Sequence, residues 1–79
     1  MNGTDHHPHF RIEHLVEDAS PVVLAYAPTL VFAHRAATQS VQALVEAGAT
    51  TGVVAIVDMR SCLDGQIIAT RRVSAVNLA

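Results

Sequence analysis

Residues 29–48 read TLVFAHRAATQSVQALVEAG, and the fold turns on what this stretch does. Leu30, Ala33, His34, Ala37, Val41, Leu44 and Val45 recur at the three- and four-residue spacing of one helical stripe, while Arg35, Gln39, Gln42 and Glu46 take the other side. Thr29 offers an N-capping hydroxyl, and Gly48 sits where a left-handed residue ends a helix. The spacing predicts one helix over 30–47. Phe32 falls near the polar side, so either the first turn is irregular or the ring packs on a neighbouring segment.

Downstream, GVVAIVDMR (52–60) and QIIATRRVSAV (66–76) are β-branched runs joined by SCLDG (61–65), whose Asp-Gly is a hairpin signal. Pairing symmetric about Leu63 sets Met59 against Ile67, Val57 against Ala69, Ala55 against Arg71 and Val53 against Val73. That register turns Val53, Val57, Met59, Ile67 and Val73 toward the helix. It leaves Val54, Ile56, Asp58, Arg60, Ile68, Thr70 and Arg72 facing outward. Arg71 then points to the helix side and needs a bulge, a sheet edge, or a carboxylate such as Glu13 or Glu17, because an unpaired buried guanidinium costs several kcal/mol.

Upstream, HFRIEHLVED (9–18) alternates as a strand with Phe10, Ile12, His14 and Val16 on one side. A short helix through Ile12, Leu15, Val16 and Ala19 is the alternative, but Glu17 and Asp18 at its end would oppose the helix dipole. The DASP turn (18–21) leads into PVVLAYA (21–27) as a second strand. The expectation is an α+β domain of order ββαββ: a four-stranded, mainly antiparallel sheet with one helix packed on one face. Residues 10–79 form this single domain, and 1–9 form a flexible His-rich tail.

The 79-residue chain is 51% hydrophobic and 15% charged, with a formal net charge of −2. A core this small supplies roughly 3–5 kcal/mol, so chains of this size lean on disulfides, metals or a second copy. A lone cysteine, Cys62, excludes an internal disulfide and fits a cytoplasmic location. The apolar run Pro21–Ala33 is too short to span a bilayer. All basic side chains are arginine, a bias that suggests a bacterial or phage gene.

No phosphate loop, nucleophile elbow or cofactor motif is present in the sequence, and neither Cys62 nor His34 is tied by spacing to a catalytic partner. The sequence therefore points to a non-enzymatic protein that takes no cofactor. The leading expectation is a protein–protein interaction module (an adaptor, inhibitor or regulator, or a homodimer) acting through Val54, Ile56, Arg60, Ile68, Thr70 and Arg72. On that reading Ile56→Asp breaks association without unfolding the monomer. A nucleic-acid-binding accessory role through Arg60, Arg71 and Arg72 is the alternative, weakened by the negative net charge and by the lack of any aromatic residue after Phe32. The third reading is a metal site built from His7, His9 and His14, which lacks any paired-cysteine or HExxH spacing.

Overall fold

The computed structural model describes residues 8–60 and 65–74, and the expected order is observed. Strand β1 spans Phe10–Leu15, β2 Val22–Ala27, helix α1 Leu30–Glu46, β3 Val53–Asp58 and β4 Gln66–Arg72. The strands form one antiparallel sheet in the order β2-β1-β3-β4. Helix α1 therefore links an edge strand to a central one, passing over β1. Among the described residues no helix is long and apolar enough to cross a membrane.

Local chemistry sets the ends of these elements. The Thr29 hydroxyl accepts a hydrogen bond from the Phe32 amide at 3.3 Å, satisfying one of the free donors of the first helical turn. At the other end the Gly48 amide donates to the Val45 carbonyl, with Gly48 at φ 100°. Between β1 and β2, Asp18 adopts φ 65° and the Ala19 amide closes on the Val16 carbonyl. Asp is among the few residues besides glycine that tolerate this conformation. Gly52 has a stricter role: at φ 96°, a Cβ there would lie 2.6 Å from the Leu15 carbonyl oxygen, so only glycine lets the chain turn into β3 beside β1.

Small residues bring the helix down onto the sheet. Ala33 and Ala37 are fully buried and meet Phe10, Ile12, Val54, Ile56 and Val73, while Val41, Leu44 and Val45 close the far end. Leu30, placed on the buried stripe by spacing, is 43% exposed at the open start of the helix.

The hairpin register differs from the symmetric one. Val53 pairs with Arg72, Val54 with Arg71, Ala55 with Thr70 and Ile56 with Ala69; after an irregularity at Ile56/Val57, Val57 pairs with Ile67. A one-residue slip exchanges the faces of a strand. Val54 and Ile56, expected outside, are buried beneath α1, and Ile67, expected inside, is exposed. Val53, Ala55 and Val57 share the opposite face with Leu15, Glu13 and Arg11, their partners on β1. Met59 follows the end of β3, its amide bonded to the His9 carbonyl. Val73 faces the core as expected.

Burial of Ile56 reverses the outcome expected of Ile56→Asp: the substitution places a carboxylate in the core and unfolds the monomer. Ile56→Ala should cost about 2–5 kcal/mol, measured by urea denaturation. An Ile56→Asp chain that folds with wild-type stability would contradict this packing.

Candidate interaction surface

The residues singled out from sequence do not converge. Of the hairpin set, Val54 and Ile56 belong to the core. Thr70 and Arg72 lie on the uncovered sheet face opposite Ala55 and Val53, and Ile68 is 43% exposed on the edge strand β4. Arg60 sits beyond the end of β3, at the opposite end of the ladder from Arg72.

The three candidate nucleic-acid arginines are likewise dispersed. Arg60 donates to both Asp58 carboxylate oxygens, at 3.1 and 2.9 Å, and its guanidinium lies 5.0 Å from the Phe10 ring centroid. Arg71 turns toward the helix side, as expected, but from a position opposite Val54, and its Nη2 donates to His34 Nδ1 at 3.3 Å. It is met by this imidazole instead of by either glutamate considered for it: Glu13 forms an ion pair with Arg11. Arg72 points to the other face of the sheet from Arg71, so the trio presents no single basic surface.

His7 lies outside the described residues, as do Cys62 and the Asp64 half of the Asp-Gly turn. His9 precedes β1, its ring edge-on to Phe10, whereas His14 lies near the far end of that strand with Nε2 3.3 Å from the Thr51 carbonyl. Five residues of extended chain set their backbone positions about 17 Å apart, too far for the two imidazoles to share an ion. Among the described residues no cluster of three or more His, Cys, Asp or Glu could hold a metal.

What the fold brings together was not singled out in the sequence. Among the described residues eight large hydrophobic side chains are exposed: Val22, Val23, Tyr26, Leu30, Val31 and Phe32 on β2 and the first turn of α1, and Ile67 and Ile68 on β4. Six of the eight therefore gather at one edge of the molecule. Tyr26, Ala27, Pro28, Phe32, Arg35, Ala36 and Gln39 line an open groove of about 270 Å³ there. The Arg35 guanidinium stands 5.4 Å from the Phe32 ring centroid, a cation–π contact at the groove's rim. The displaced position of Phe32 on the helical wheel was the one sequence signal of this surface: its ring packs toward the end of β2.

The groove is smaller than most small-molecule sites and lies open. Its polar groups are a phenol, a guanidinium and an amide, which suit recognition and include no nucleophile paired with a base. No family model, curated protein or solved structure matches the chain.

The Asp58–Arg60 contact makes a separate, local prediction. Hydrogen bonds from the Arg60 side chain and amide lower the Asp58 pKa from 3.8 to about 2. A carboxylate with a depressed folded pKa stabilises the fold above its unfolded value, and that contribution disappears as pH falls through the folded one. The melting temperature should therefore drop between about pH 4 and pH 2 more steeply in the wild type than in Asp58→Asn. Parallel profiles for the two proteins would refute the contact.

Proposed function

We propose that this chain is a small non-catalytic protein-interaction module, an adaptor, inhibitor or regulator, that docks through the apolar edge formed by β2 and the start of α1. The observation that carries the proposal is the gathering of Val22, Val23, Tyr26, Leu30, Val31 and Phe32 there, with Val31 68% and Tyr26 57% exposed. Isolated exposed aliphatics are ordinary on a protein surface, but several on two adjoining elements, beside aromatic rings and a rim arginine, match the composition of interface centres. The surface differs from the hairpin face expected from sequence because Val54 and Ile56 are core.

Docking on an apolar edge predicts an interaction insensitive to salt, whereas binding to nucleic acid through a few arginines would weaken steeply as salt rises. Phe32→Asp should abolish capture of the bound partner, whether a host protein or a second copy, from the native host through a C-terminal tag. Its thermal midpoint should stay within a few degrees of wild type, since the ring is half exposed. Undiminished capture by Phe32→Asp would refute the reading.

A further inference from the structure

We infer that the partner of this edge is a second copy of the chain, joined along β2 by antiparallel pairing of Val22–Ala27 with itself into a continuous eight-stranded sheet. This rests on the apolar edge being a docking surface and specifies its occupant. Strand β2 is an edge, so among the described residues its outward amides and carbonyls have no neighbouring strand. Edge strands are commonly protected by charge, yet from Ala19 to His34 the chain carries no Asp, Glu, Lys or Arg. The other edge, β4, carries Arg71 and Arg72. A two-fold pairing sets a strand against itself, and an uncharged strand brings no like charges together.

The facing pattern of β2 suits such a pairing. Val23 and Tyr26 share the uncovered sheet face with Glu13 and Arg11, their partners on β1. Val22, Ala25 and Ala27 take the helix side opposite His14, Ile12 and Phe10, and Leu24, inserted where the register shifts, packs against the same core. The order is therefore in, out, in, in, out, in, a palindrome about the Leu24–Ala25 bond. A regularly alternating strand of six residues has no such symmetry about its middle bond, because residues equidistant from that bond face opposite ways. The bulge creates it.

Two-fold pairing about that bond sets Val22 opposite Ala27, Val23 opposite Tyr26 and Leu24 opposite Ala25, every pair on a common face. Each Val23–Tyr26 pair joins a β-branched residue to an aromatic one, a favourable cross-strand combination. Pro21 and Pro28 flank the strand at equal distances from the same centre, and because proline has no amide to donate, they bound the ladder at both ends. A bulge often discourages edge pairing; here it aligns the faces, and the strand around it has no charge to oppose a second copy.

The test is sedimentation of the full chain over a range of concentrations, with circular dichroism to confirm folding. Wild type should dimerise, and Val23→Lys should raise the dissociation constant roughly tenfold or more by replacing both Val–Tyr pairs. The double variant Val23→Lys with Tyr26→Glu sets Lys opposite Glu twice and should restore the dimer. A second readout needs no substitution: in a mixture of labelled and unlabelled chains, nuclear Overhauser contacts should join Val23 methyls of one copy to the Tyr26 ring of the other. A wild-type chain that stays monomeric, a dimer indifferent to Val23→Lys, or a dimer lost in that variant but not restored in the double one would each overturn β2 pairing. Those results leave the broader docking proposal standing as long as Phe32→Asp still abolishes capture of a host protein.

Discussion

The structure depends on the contact of one helix with one sheet. Ala33 and Ala37, with no side chain beyond Cβ, let α1 approach the central strands closely enough for Phe10, Ile12, Val54 and Ile56 to be excluded from water. A helix of 17 residues is about 26 Å long and 10 Å wide, which covers the middle of a four-stranded sheet and little more. Everything else about the molecule's surface follows from that limited reach. Among the described residues the edge strands and the first helical turn have no second layer, and the large apolar side chains they carry remain at the surface.

How those side chains are distributed then separates the surfaces. On the uncovered sheet face, the Arg11–Glu13 ion pair crosses the middle of β1, and the long arginine side chain reaches Met59 Sδ at 3.6 Å. Ala55 and Val57 beneath it are already buried within the single chain. That face is partly closed by its own residues. Among the described residues the β2 edge has no equivalent cover: its valines, tyrosine and the adjoining Leu30, Val31 and Phe32 are exposed, and Arg35, which lines the groove, stands over the Phe32 ring.

The element order and the helix were legible in the sequence because their signals are local. The stripe of Ala33, Ala37, Val41 and Leu44 has only one helical reading, and Thr29 and Gly48 mark its ends. The face of β3 was not legible. Val53, Val54, Ala55, Ile56 and Val57 are all apolar, as suits a central strand, so alternation gives no preference and the assignment fell to an assumed symmetry of the hairpin. The irregularity at Ile56/Val57 broke that symmetry and exchanged core and surface. The candidate surface was hidden for a related reason: Pro21–Ala33 reads as the most hydrophobic run and hence as core, whereas its strand lies at the sheet edge and only its small residues, such as Ala27 and Ala33, are fully buried. Strand order is a long-range property that no local pattern of these residues encodes.

Strand β2 is an edge in the single chain and, in the dimer proposed above, an interior strand. Amide hydrogen exchange measured residue by residue at low and high protein concentration tests this directly. In that dimer the outward amides of β2 gain protection as concentration rises, while the amides on the outer edge of β4 continue to exchange at the same rate. Free exchange along β2 at every concentration, or protection appearing along β4 instead, would contradict it.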